Sequence, residues 1–295
     1  MDSFTLNWRI DKQDSGQSIK DYLKQREISK AALTDIKFSG GKIEVNGNEE
    51  NVRYTLNEGD CLSLRFPSEM PSPGMEAEDI PLAIVYEDPY VLVVNKPAAM
   101  STIPSREHPR GSLANALIGY YRKIDLASTV HIVTRLDRDT SGLVLVAKHR
   151  HVHHLMSTLQ REGRVKRTYE AFAEGKLFPV EGSIEAPIAR KKDSIIEREV
   201  NFLEGQYACT HYKVKGTGEF TYAELVLETG RTHQIRVHLS HLGHPLLGDG
   251  LYGGNKNQIS RQALHCRELR FFHPFLEREL CFSAGLPDDM KALLE

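Results

Sequence analysis

No stretch of this chain approaches the roughly 20 consecutive apolar residues that a membrane-spanning helix needs, although hydrophobic residues make up 40% of it. The first ten residues, MDSFTLNWRI, have neither a basic start nor an apolar core, so no secretory signal is read and a cytoplasmic protein is expected. Cysteine is scarce. Cys61, Cys209, Cys266 and Cys281 lie far apart without a C-x-x-C pair, which argues against a zinc cage or a redox motif. An excess of one charge is missing too: with a net charge of −2, any surface for a polyanion must be local. Internal repeats and low-complexity segments are absent. What is present is the composition of an ordinary globular protein, 26% charged, and 295 residues are expected to divide into two domains.

The division is expected within residues 67–82, where prolines and acids occur without apolar periodicity, as in an interdomain linker. Before it, Ile19, Tyr22 and Leu23 share one helical face, and Ala32, Leu33 and Ile36 mark a second short helix. A short strand, KIEVNG, closes on the hairpin signal Asn46-Gly47, and another runs from Cys61 to Phe66. Beyond the linker, AIVYED and YVLVVNKP read as strands joined at Asp88-Pro89. Ser112 is placed to cap a helix through Leu113, Ala116, Leu117 and Tyr120, and LVLVA at 143–147 reads as a buried strand. A helix from about His151 to Glu162 stops at Gly163, and KRTYEAFAEG and YAELVLET return as strands. Ile235, Leu239 and Leu242 form one face of a later helix, and LPDDMKALLE reads as a short surface helix. Strands and helices mix without regular βαβ alternation, which predicts an α+β fold with a largely antiparallel sheet.

The densest polar cluster runs from Thr134 to Gly142, directly before the buried strand. A loop with two arginines and two carboxylates at a strand's edge can present one carboxylate in a cleft, with a cation nearby to keep it ionised. It can equally be a solvated turn with local ion pairs. D-R-D-T also fits the D-x-D-x-T loop of aspartate-nucleophile phosphatases, which use magnesium. Thr134 and Arg135 interrupt the apolar run that such a loop would follow.

A fuller resemblance is to the RluA-type RNA pseudouridine synthases, whose motif R-L-D-x-x-T-S-G-L is reproduced from Arg135 to Leu143. VVNKPAAMSTIP at 93–104, KRTYEAFAEG at 166–175, TGRTHQIRVHLSHLGHPLLGDGLYG at 229–253 and QALHCRELRFFHP at 262–274 are similar to further family segments in order and spacing. The resemblance implies an isomerase that breaks the glycosidic bond of a uridine in RNA, turns the uracil and rejoins its C5 to the sugar, with no cofactor and no metal. It implies Asp137 as the catalytic carboxylate, Tyr169 against the target uracil and Arg231 as the arginine paired with the aspartate. Arg135 is implied as the side chain that replaces the flipped base, Ile235 as an apolar neighbour of the base, and Asn95 and Lys96 as part of the first motif. Thr134 stands where many members carry histidine, a change expected to touch local support or substrate preference.

The order of elements in residues 14–66, around K-I-x-V-N-G and L-x-x-G-D, resembles the S4-type RNA-binding module. Its basic residues are few: Lys30, Lys37, Lys42 and Arg53. Residues 148–167 hold six cations, Lys148, Arg150, Arg161, Arg164, Lys166 and Arg167, against Glu162 alone, a patch that could meet phosphates or simply be solvated. His149, His151, His153 and His154 have no acidic or cysteine partner nearby in sequence and are not read as metal ligands. The expectation is therefore a monomeric RNA enzyme of three parts: an S4-like domain over 1–66, a linker over 67–82 and a catalytic domain over 83–295. Its substrate is expected to be ribosomal RNA of the large subunit, with transfer RNA the alternative.

Overall fold

The structure, a computed structural model, describes residues 4–72, 74–105 and 108–295. The N-terminal part is β1 (Thr5–Arg9), α1 (Ile19–Gln25), α2 (Lys30–Phe38), β2 (Lys42–Val45), β3 (Asn48–Glu49) and β4 (Cys61–Arg65). Its strands form an antiparallel sheet in the order β1-β4-β2-β3. Serines start both helices: Ser18 accepts from Asp21 N and Ser29 from Ala32 N, satisfying amide donors that a helix leaves open. Ile19, Tyr22 and Leu23 are buried as their spacing predicts, over a small core that includes Leu56, Leu62 and Leu64. Strand β1 was not read in the sequence.

Residues 67–82 contain no helix or strand among those described, yet they are not a loose connection. Glu78 N donates to Asn115 O at 3.1 Å, and Asn115 Nδ2 donates to Glu76 O at 2.8 Å. The chain lies so close to the next helix that a Cβ on Gly119 would come 2.0 Å from Glu78 O, so glycine is required there. Glu69 pairs with His131 at 2.5 Å and accepts from Arg150 N at 2.8 Å. The segment is a packed strap.

The remainder runs β5 (Ile84–Glu87), β6 (Val91–Lys96), α3 (Leu113–Lys123), β7 (His131–Ile132), β8 (Ser141–Ala147), α4 (Arg150–Arg161) and β9 (Val165–Glu174). It continues with β10 (Glu181–Glu185), β11 (Ile188–Arg190), β12 (Arg198–Val200), β13 (Cys209–Thr217) and β14 (Phe220–Leu227). Last come α5 (Gln234–His241), β15 (Leu264–His273), β16 (Arg278–Ser283) and α6 (Asp288–Lys291). A ten-stranded sheet has the order β10-β13-β14-β9-β15-β8-β6-β5, with β16 on β15 and β7 on β8. Every pairing is antiparallel except β15 with β8, as the expected α+β class requires.

Local chemistry explains the placement of these elements. Asp88 accepts from Tyr90 N and Val91 N at 2.7 and 2.8 Å, which closes the β5–β6 turn where Asp88-Pro89 signalled it. Ser112 and Asn115 form a capping box that starts α3. All seven residues of β8 are buried, because β8 lies in the interior of the sheet and its side chains join the main core. At its start Gly142 has φ of +118°, and a Cβ there would fall 2.3 Å from Cys266 O. Only glycine lets β8 and β15 meet at this point.

Two expectations are corrected. Leu242 is 40% exposed and lies beyond α5, so the buried face is carried by Ile235 and Leu239. The C-terminal helix is not merely superficial: Met290 is fully buried against Phe172, Leu247 and Ile259, and Asp289 pairs with Arg261 at 2.7 Å.

Candidate active site

Asp137 lies in the loop between β7 and β8, and that loop is pinned along its backbone. Thr134 Oγ1 accepts from Leu145 N at 2.9 Å. The Thr102 hydroxyl donates to Leu136 O at 2.6 Å and accepts from Leu136 N at 3.2 Å. Lys96 Nζ donates to Arg138 O at 3.0 Å and also to Pro97 O and Met100 O. Arg261 Nη1 donates to Asp139 O at 3.1 Å. These bonds fix the main chain and leave the Asp137 carboxylate directed at Arg236, whose Nη1 donates to Oδ2 at 3.1 Å.

Arg236 is itself held from behind. Its Nε and Nη2 form a two-pronged bridge to the buried Asp249 at 2.7 and 2.8 Å, and the Tyr252 ring lies 4.9 Å from the guanidinium carbon. Burial pushes the Arg236 pKa down, but Asp249 and Asp137 outweigh it and raise the pKa above the ordinary arginine value. His233, left-handed at φ of 58°, caps α5 and brings Nε2 within 3.8 Å of Asp137 Oδ2, while Nδ1 meets Tyr252 Oη at 2.7 Å. Burial pushes its pKa below the usual histidine range, with Asp137 pulling the other way.

Tyr169 comes from β9 and is buried beside the same cavity, under the Arg167 guanidinium at 5.9 Å. Burial drives its phenol pKa well up, Arg167 opposing, so the group is a neutral phenol near pH 7. Ile235, also buried, lines the cavity from α5. Arg135, Arg198 and Arg231 surround the opening.

The structure therefore gathers Asp137, Tyr169, Ile235, Arg135 and Arg231 around one cavity but changes the roles of others. Arg231 is not the partner of Asp137: its Nε donates to Tyr207 O at 3.0 Å, and Arg236, five positions on, takes the carboxylate. Position 231 precedes α5 and turns outward, whereas 236 is on its buried face. Lys96 has no exposed surface and supports the loop from behind, and Asn95 is half-buried in β6 away from the cavity lining, so neither is placed to touch a substrate. The six-cation patch also breaks up. Lys148 is buried on Glu87 at 2.8 Å, Arg150 bridges to Asp35 of the N-terminal part at 2.9 Å, and Arg164 lies over the Phe272 ring. Of the six, Arg167 lines the cavity.

Sequence reasoning missed Arg236, Asp249, His233 and Thr102. A signal existed for the first: Arg236 is flanked by Ile235 and Val237 in a helix, and a charge set among buried residues requires a partner. As for metals, Cys209, His211 and Glu228 are the one suitable grouping among the described residues. His211 Nε2 lies 2.7 Å from Glu228 Oε1, a direct hydrogen bond. Two tetrahedral zinc ligands would stand roughly 3.3 Å apart.

A carboxylate held by an arginine that a second carboxylate anchors, beside a buried aromatic ring and under arginines at the opening, is an arrangement suited to carboxylate chemistry on an anionic substrate. Comparison with known proteins gives the class its name. A family profile described as RNA pseudouridylate synthase matches residues 90–241. An uncharacterized RNA pseudouridine synthase of Bacillus subtilis, YjbO, is 52% identical over 94% of this chain and 98% of its own. The ribosomal large subunit pseudouridine synthase D of Vibrio parahaemolyticus is 40% identical over 86% of this chain and 82% of its own. Among solved structures, human RNA pseudouridylate synthase domain containing 1 matches with a TM-score of 0.59 at 25% identity, covering 74% of this chain and 88% of its own. The chain belongs to the RNA pseudouridylate synthase family, isomerases that act on RNA.

Proposed function

We propose that this enzyme converts uridine to pseudouridine in ribosomal RNA of the large subunit, with Asp137 as its catalytic carboxylate. The observation that carries the proposal is the Asp137–Arg236–Asp249 chain, which holds one carboxylate at fixed geometry in a cavity beside Tyr169. Breaking a glycosidic bond without phosphate or electron transfer calls for an anionic nucleophile or base, and the isomerisation itself requires no cofactor. Arg236 orients that anion and balances its charge. The neutral ring of Tyr169 is a platform for the uracil, with Ile235 as an apolar neighbour. A base leaves its stack at a cost of a few kcal/mol, and Arg135, exposed at the mouth, can fill the space it vacates. Ribosomal RNA is favoured because relatives are named for the large subunit. Residues 1–66 are assigned to RNA binding on their S4-like order, and the protein is taken to work as a cytoplasmic monomer.

The test is tritium release from RNA labelled at uridine C5, with EDTA present throughout. Asp137→Asn should abolish release while RNA affinity stays within a few fold, because the amide keeps the shape and loses the charge. Asp139→Asn should be mild, since its backbone carbonyl, not its carboxylate, makes the loop contact to Arg261. An active Asp137 variant with a dead Asp139 variant would overturn the assignment. Modification of transfer RNA but not large-subunit RNA would correct the substrate alone.

A further inference from the structure

We infer that a groove continuing from the Asp137 cavity binds the RNA backbone beside the target uridine, with Arg190 and Arg198 of the β11–β12 hairpin as phosphate contacts. The identity of the ligand rests on the synthase reading above. The groove and the cavity share Arg135, Arg198, Gly230, Arg231 and Thr232, so a strand can pass from one into the other. Four arginines line the groove, 135, 190, 198 and 231, against Glu204 as its only carboxylate among the described residues.

None of the four forms an ion pair among the described residues, so no side chain there neutralises them. Three are aimed by backbone carbonyls instead. Arg190 donates to Ser194 O and to Ile195 O at 2.7 Å, Arg198 to Ile196 O and Glu197 O, and Arg231 to Tyr207 O. Carbonyls orient a guanidinium but do not neutralise it. On a chain of net charge −2, such a local concentration of cations repels itself and is relieved by a polyanion.

The hairpin is built for an external contact. β11 and β12 form a two-stranded ribbon apart from the large sheet, anchored at its base where Ile188 bridges Gln206, and its tip carries Ile195 and Ile196, 78% and 58% exposed. Apolar tips between cations suit nucleotides, whose bases are apolar on their faces and whose links are anionic. The ribbon is also tied to the reacting carboxylate. Arg198 N donates to Tyr252 Oη at 2.9 Å, and that oxygen meets His233, which faces Asp137. The bond runs through the Arg198 main chain, so it sets the hairpin beside the site and survives a change of the Arg198 side chain.

The experiment uses the full chain and an in-vitro transcript of large-subunit ribosomal RNA labelled at uridine C5. Arg190→Gln with Arg198→Gln should lower the slope of log affinity against log salt by about 1.4 units for an unpaired strand, or about 1.8 for a helical one. KM should rise while kcat stays near wild type, since phosphate contacts position RNA and take no part in bond exchange. Arg190→Lys with Arg198→Lys should restore the slope. If the glutamine pair melts early, Arg190→Gln alone decides, with an expected loss of about 0.7 units. A wild-type slope and KM in the glutamine variants would overturn the inference, as would equally tight binding of polyglutamate. A wild-type enzyme that forms no pseudouridine would instead count against the synthase reading, and the salt slopes would still judge the groove.

Discussion

At the scale of single residues, the two arginines of G-R-T-H-Q-I-R separate by environment. Arg231 is exposed and fixed by one carbonyl, while Arg236 is almost fully buried between two carboxylates. Arg236→Lys keeps a charge but cannot span both partners, so kcat should fall on the order of 100-fold or more, as when an oriented donor is lost. Arg231→Lys should change kcat little and act mainly on KM. Arg236→Met should also cost about 3–5 kcal/mol of stability, read from denaturant unfolding, because Asp249 would be left buried without a partner. A fully active Arg236→Lys enzyme with an inactive Arg231→Lys variant would reverse the assignment. Lys96 teaches the same lesson. Burial lowers its pKa to about 7 against the pull of Asp139 and Asp137, and its bonds to Pro97 O, Met100 O and Arg138 O make it a brace between the turn after β6 and the Asp137 loop.

Between elements, the decisive contacts lie where the N-terminal part meets the start of α4. Phe4 stacks on His149 at 4.1 Å, and Phe66 on His151 at 5.4 Å, with Phe275 alongside. Burial lowers both histidines to about 4. Lys148 adds to the shift at His149 and Glu69 opposes it, and His154 adds to the shift at His151. Above pH 6.5 both are neutral whether folded or not, and stability is insensitive to them. Between 6.5 and about 4 only the unfolded or undocked chain takes up the protons, so stability falls as pH falls, on the order of 2–3 kcal/mol per histidine at the limit. Trp8, the single tryptophan, sits in β1 and can report release of this part. Its fluorescence transition should shift to lower temperature between pH 6.5 and 4.5. His151 Nδ1 has no partner among the described residues, so His151→Leu should blunt the shift. An acid sensitivity unchanged in that variant would place the titration elsewhere.

For the whole molecule, the question is whether the two parts share one task or divide it. The described residues that line the Asp137 cavity all follow residue 100, so removing residues 1–66 should weaken RNA binding and leave the chemistry intact at saturating RNA. The fragment should also be less stable, because the deletion uncovers His149, His151 and Phe275 and frees Arg150 from Asp35. A fragment that folds, by circular dichroism, yet forms no pseudouridine at any RNA concentration would show that the N-terminal part completes the site.

The sequence by itself determined whatever depends on neighbours along the chain. Serine caps, the Asp88-Pro89 turn, the helical face of Ile19, Tyr22 and Leu23 and the all-apolar β8 are local patterns, and Asp137 stood out because two arginines and two acids crowd one strand edge. Strand β1 was legible too, since Phe4, Leu6, Trp8 and Ile10 alternate with Thr5, Asn7 and Arg9, a period-two pattern that went unread. The partner of Asp137 could not be read in the same way. Asp137, Arg236 and Asp249 come from a loop, a helix and a turn up to 112 positions apart, and only the packing of α5 against the sheet brings them within hydrogen-bond reach. The tertiary structure likewise turned the proline-rich segment into a strap, buried Lys96 and split the basic patch. A charge in a sequence has no direction until the surrounding fold gives it one.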